Sequence, residues 1–185
     1  MHTIRKQART FTMLMVLAAT LVAGRQAFAQ GLAEEDRDWQ VQPPAVLRQA
    51  PYSAPTPTRI PEGKVVRTAD LLLMTQSSPP PVLIDVAAGE GHETLPAAVW
   101  IPGAGRGDNF IDTTQAELNV LLSGLTAGNR DQSLVFFCVN AQCWLSFNAA
   151  RRAIAAGYRE VYWYRGGYAA WKAAGLPLVP IAPVR

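Results

Sequence analysis

Cysteine is almost absent from this chain: 185 residues carry only Cys138 and Cys143. Histidine is equally scarce, with His2 and His92 alone. Two thiols cannot staple a small disulfide scaffold, and with one distant histidine they do not make the four-donor set of a zinc site, so no metal is expected. Long apolar runs are missing too. The longest, Phe11 to Ala23, falls short of the ~20 residues that a spanning helix needs. Excess positive charge is only nominal. The formal net charge is +3, but four of the 17 basic residues and none of the 14 acidic ones precede residue 30. The remainder carries 13 basic against 14 acidic groups, which leaves no basic stripe for nucleic acid or a membrane surface.

What is present at the N-terminus reads as an export signal over residues 1–29. Arg5, Lys6 and Arg9 form a basic start, Phe11 to Ala23 an apolar middle, and Ala27-Phe28-Ala29 a small-x-small cleavage pattern. No cysteine stands directly after that point, which argues against a lipid anchor. The mature chain is expected to begin at Gln30, in the periplasm, with no membrane span after cleavage. Residues 30–62 carry Pro43-Pro44, Pro51, Pro55, Pro57 and Pro61 with an acidic cluster at Glu34, Glu35, Asp36 and Asp38. They show little apolar periodicity and read as an extended Pro-rich arm or a partly ordered leader.

From residue 63 to 185, strand and helix signals alternate. Lys64–Val66, Val82–Val86, Ala98–Ile101, Ser133–Phe137 and Val161–Tyr164 read as strands. Helices are expected from Thr68 to Met74, from a capping box Thr114-x-x-Glu117 onward, from Trp144 to Ala156, and from Tyr168 to Ala174. Gly157 and Gly175 sit where helices stop. The alternation predicts an α/β domain around a mostly parallel sheet flanked by helices, with ligands beyond the carboxyl ends of the strands.

Cys138 occupies such an end, between an apolar strand and the next helix. Backbone N–H groups converge at such a turn and stabilise a thiolate. Cys138 is therefore the expected nucleophile. Cys143, after the intervening loop Val139-Asn140-Ala141-Gln142, either resolves a mixed disulfide or persulfide on Cys138 or closes a resting disulfide with it. The loop contains no Lys or Arg, and Trp144 stands where a phosphatase loop places arginine. That argues against phosphate-ester hydrolysis and weakens thiosulfate turnover. Trp144 reads as an apolar lid, a docking surface or core, and Trp163 as core. Asp85 is assigned structural support of the loops, His92 an exposed loop position, and Arg151 and Arg152 a solvated helix face. Gly103 to Asp108 reads as a surface loop beside the site.

Several pieces in order resemble a rhodanese domain: VLIDV at 82–86, LPAAVWIP at 95–102, VFFC at 135–138, GGYAAW at 166–171 and AGLP at 174–177. The resemblance implies a single such domain over 63–185, with a persulfide on Cys138 and a loop that wraps the sulfur with main-chain N–H groups. CVNAQCWLSFNAARRA at 138–153, with VWIPGAGRGD at 99–108 and VYWY at 161–164, is similar to an exported branch of that family. These are the CXXCW-motif proteins associated with pyrroloquinoline-quinone (PQQ)-dependent catabolism. Here four residues separate the cysteines rather than two. The branch implies an accessory role beside a periplasmic quinoprotein dehydrogenase or its cytochrome, with a sulfur donor or thiol partner. It implies no directly bound cofactor. Two functions stay open: sulfane-sulfur or thiol–disulfide chemistry at Cys138, and a catalytically silent binding module.

Overall fold

The computed structural model describes residues 34–184. The expected export signal lies outside the described residues. In chain order the elements are β1 (Lys64–Val66), α1 (Thr68–Met74), β2 (Val82–Asp85), β3 (Glu93–Thr94), β4 (Val99–Trp100), α2 (Thr113–Leu125), β5 (Leu134–Phe137), α3 (Trp144–Ala155), β6 (Val161–Tyr164), α4 (Gly167–Ala173) and β7 (Val179–Pro180). No helix among the described residues is long and apolar enough to cross a membrane.

Five strands form one sheet in the order β1-β6-β5-β2-β4, and every pairing is parallel. The register places Val66, Tyr164, Phe137, Asp85 and Trp100 in one row across the sheet. That row is the carboxyl edge, and the next residue after β5 is Cys138. Strand alternation divides the interior between the two faces. Ile84, Phe136, Cys138 and Trp163 join Leu118 and Leu122 of α2 and Phe147 of α3. Leu83, Val135, Phe137 and Tyr164 face Leu71 of α1 and Trp171 of α4. Buried on both sides, the central strands are continuous apolar runs. A two-stranded antiparallel ribbon, β3 with β7, is an addition that the sequence pattern does not reveal. Two paired residues in each strand carry no periodicity.

The start of α2 differs from the expected capping box. Asp112 is the N-cap, and its carboxylate accepts from the Gln115 N–H at 2.8 Å. Thr114 is already inside the helix. An Asp-x-x-Gln pattern won over the Thr-x-x-Glu pattern two residues later because Arg152 holds the Asp112 side chain at 2.7 Å.

Residues 34–62 cross the carboxyl edge as a strap that opens with a helical turn at 34–36 and is otherwise largely irregular. Apart from one antiparallel bridge at Ser53, their polar backbone is met largely by side chains of the domain. Arg165, only 2% exposed, donates to the carbonyls of Glu34, Glu35, Arg37 and Thr56 and to the Thr56 hydroxyl. Asn148 exchanges hydrogen bonds with the Arg48 backbone, and Arg151 donates to the carbonyls of Pro44 and Ala45. The Glu35 carboxylate accepts from the Thr68 N–H and hydroxyl.

Candidate functional site

The loop after β5 brings Cys138 and Cys143 together in a disulfide, with their Cα atoms 6.2 Å apart. The free thiolate expected at Cys138 is therefore not the state described, and the described residues contain no free cysteine. Of the two alternatives for Cys143, the structure holds the closed bridge. Cys138 is 2% exposed and packs with the apolar cluster, whereas Cys143 is half-buried.

Three structural bodies shape the loop. The sheet supplies the first: the Val86 N–H donates to the Phe137 carbonyl just before the cysteine. The start of α4 is the second. Tyr168 and Ala169 donate their N–H groups to the carbonyls of Cys138 and Val139. Only glycine permits this approach at 167, where φ is +61° and a Cβ would lie 2.2 Å from the Cys138 oxygen. The strap is the third, with Ser53 bridged antiparallel to Cys143. Within the loop, the Asn140 side chain accepts from the Gln142 N–H and its carbonyl from the Cys143 N–H. The Trp144 N–H goes to the Tyr52 carbonyl. Among the described residues, the N–H groups of Val139, Asn140 and Ala141 have no acceptor. All three belong to the loop between the two cysteines.

A cleft of about 230 Å³ opens over the disulfide, lined by Tyr52, Ser53, Ala88, Cys138, Val139, Asn140, Gln142, Cys143 and Leu145. No charged side chain is among them. Arg106 is exposed and does not reach the cleft. A larger hollow of about 340 Å³, lined partly by Glu35, Asp36, Arg67, Asp70 and Arg165, contains neither cysteine.

Trp144 is neither lid nor docking surface. It is 2% exposed beneath the strap, donates its indole N–H to the Pro55 carbonyl, and meets Phe147 edge-on at 5.1 Å. Trp163 is core and donates to the Ser146 hydroxyl. Arg152 is not a solvated residue. It is fully buried and donates to the carbonyls of Arg106 and Asn109, to Gln115 and to Asp112. The segment 103–108 is likewise more than surface: Gly105 is buried against α3, where a Cβ would stand 1.9 Å from the Leu145 oxygen.

Asp85 is wholly buried and accepts from the Ala87 N–H, the Thr94 hydroxyl and His92 Nε2, at 2.6–2.8 Å. His92 is thus not a free loop residue. Its side chain is 19% exposed and its ring meets Trp100 edge-on at 4.7 Å and Tyr168 at 5.6 Å. Burial, followed by the Asp85 charge, pushes the Tyr168 hydroxyl up and keeps it neutral. The Gly89-Glu90-Gly91 run hid this arrangement, because the contact needs the loop to fold back on the strand end. Among the described residues, no cluster of histidine, cysteine and carboxylates could hold a metal.

The profile of the rhodanese-like domain matches residues 68–174. No curated protein matches the chain. Solved structures that match include wild-type EanB, at 20% identity over 67% of this chain and 32% of EanB, with a TM-score of 0.48. An EanB variant with ergothioneine covalently linked with a persulfide cysteine matches at 20% identity over 71% of this chain and 34% of that one, with a TM-score of 0.49. An uncharacterised protein from Saccharomyces cerevisiae matches at 18% identity over 60% of this chain and 92% of its own, with a TM-score of 0.42. The chain spans about a third of the length of the EanB chains. The profile covers more than half of the sequence, and the chain belongs to the rhodanese-like domain family.

Proposed function

We propose that this protein accepts sulfane sulfur at Cys138 and closes the cycle through the Cys138–Cys143 disulfide. The observation that carries the reading is the disulfide at the carboxyl edge, in a loop with three unclaimed N–H groups and under an uncharged cleft. An incoming thiolate attacks the more exposed Cys143 sulfur. The S–S bond breaks, and its electron pair leaves on Cys138 as a thiolate. A second thiol frees Cys143 and departs as the external disulfide. The Cys138 thiolate then attacks the outer sulfur of a small persulfide donor, whose thiolate leaves with the bonding pair. Cys138 now carries a persulfide. Attack of the Cys143 thiolate on the Cys138 sulfur expels hydrosulfide and restores the bridge. One sulfane sulfur is reduced and two thiols are oxidised.

The lining supports an uncharged or weakly charged donor, since no guanidinium or ammonium is present to bind thiosulfate. We place this chemistry in the periplasm, in support of a quinoprotein (PQQ) dehydrogenase or its cytochrome, as the resemblance of 138–153 implies.

The test is mass spectrometry of the reduced protein after incubation with a persulfide donor, with Cys143→Ser to trap the product. Addition of one sulfur atom to Cys138 is expected. No addition in that variant refutes sulfur acceptance. For the wider role, a strain carrying Cys138→Ser and Cys143→Ser should grow on alcohols as poorly as a deletion strain. Normal growth would leave only a silent binding module.

A further inference from the structure

We infer that Thr56 is a positioning residue for the cysteine pair, and that strap docking and the Cys138–Cys143 bond stabilise one another. The strap precedes residue 68, where the family profile begins, so this device is additional to the matched domain.

The two sulfurs are held by different bodies. Cys138 follows β5, and the start of α4 fixes its carbonyl. Cys143 is held by the strap. The Thr56 hydroxyl donates to the Ala141 carbonyl at 2.6 Å, with both residues buried. The Ala54 N–H donates to the Gln142 carbonyl at 2.9 Å, and the Tyr52 carbonyl accepts from the Trp144 N–H at 2.9 Å. The Pro55 carbonyl accepts from the Trp144 indole at 3.2 Å. Thus strap bonds bracket Cys143 on both sides, from Ala141 to Trp144. Thr56 is itself anchored, because its oxygen accepts from Arg165 Nε at 3.0 Å. Arg165 extends from the end of β6, the strand beside β5. Through this pair the sheet edge carries both cysteines.

A docked strap keeps Cys143 within bonding reach of Cys138 and raises its effective concentration there. Linkage requires the reverse as well: the closed bridge must favour the docked strap by the same factor. Reduction then loosens Tyr52 and Ser53, which wall the cleft, and admits the donor when the thiolate is ready to receive it. The inference rests on the reading that this pair is redox-active.

The experiment uses the full chain equilibrated in dithiothreitol redox buffers, without a sulfur donor. Thr56→Val should lower the equilibrium constant for bridge formation about tenfold, the weight of one buried hydrogen bond. That is a potential about 30 mV less negative. Thr56→Ser should restore the wild-type value. In the unmodified protein, the Ala54 and Trp144 amides should exchange with deuterium about tenfold faster in the dithiol than in the disulfide form, by the same linkage. Equal exchange in both forms overturns the proposal, as does a folded Thr56→Val with the wild-type constant, or a protein that forms no bridge in oxidising buffer. If Thr56→Val does not fold, exchange in the unmodified protein decides. Coupled exchange without sulfur uptake keeps the strap role and refutes sulfur acceptance. Uptake with uncoupled exchange does the opposite.

Discussion

Replacing Arg165 by methionine removes the centre of strap docking while leaving the sheet intact. Three of its hydrogen bonds are short: to the Glu35 carbonyl at 2.6 Å, the Arg37 carbonyl at 2.7 Å and the Thr56 hydroxyl at 3.0 Å. At about 1.5 kcal/mol for each charge-assisted bond, they amount to about 4–5 kcal/mol. Water recovers part of this for strap carbonyls that become exposed. Burial also lowers the pKa of Arg165, against the raising effect of Asp38, Asp36, Glu34 and Glu35, so removing the charge returns some desolvation cost. A net loss of about 3 kcal/mol remains, a shift of roughly a hundredfold in the docked-to-undocked ratio. Arg37, Arg48 and Arg59 lie in the strap and offer sites for trypsin. In native-state proteolysis the variant should be cut there roughly a hundredfold faster, while the thermal transition of the sheet core survives. Lysine at 165 should fall between, since an ammonium cannot span the same set of acceptors. Cutting at the wild-type rate would show that the strap is held by its apolar contacts, and that the hydrogen-bond reasoning is wrong.

Other outcomes follow from the same geometry. Gly167→Ala should cost more than about 2 kcal/mol in denaturant unfolding, because positive φ and the Cys138 oxygen both oppose a Cβ. Asp85→Ala should destabilise by about 3 kcal/mol, since it strands two buried donors and the half-buried His92, and His92→Ala by clearly less; denaturant midpoints compare them. The pH dependence has two limbs of opposite sign. Burial raises the Glu35 pKa, with its Thr68 bonds only partly opposing. Its contribution is full below the ordinary carboxylate value of about 4.3 and is lost as pH rises through the higher folded value. Strap protection should therefore strengthen in mild acid, and Glu35→Gln should abolish the trend. At Asp112 burial also pushes upward, but the Arg152 and Gln115 bonds outweigh it and the pKa is lowered. Its contribution holds above the ordinary value of about 3.9 and disappears as pH falls through the lower one. Thermal unfolding of Asp112→Asn should lose that strong-acid limb.

The sequence by itself determined the sheet and the position of Cys138. Val82–Asp85, Leu134–Phe137 and Val161–Tyr164 are apolar runs too short for helices and are bounded by turn residues. The intervening helices carry their stop signals, as Gly157 and Gly175 do with φ of +89° and +72°. Such signals are local, so they can be read along the chain. Only tertiary structure decided the rest. Arg152 and Arg165 look like surface charges until their acceptors arrive from segments tens of residues away. The same holds for Trp144, which is buried by a proline-rich strap that has no periodicity of its own. Burial of a polar group depends on whether distant partners satisfy it, and that information is absent from any local window.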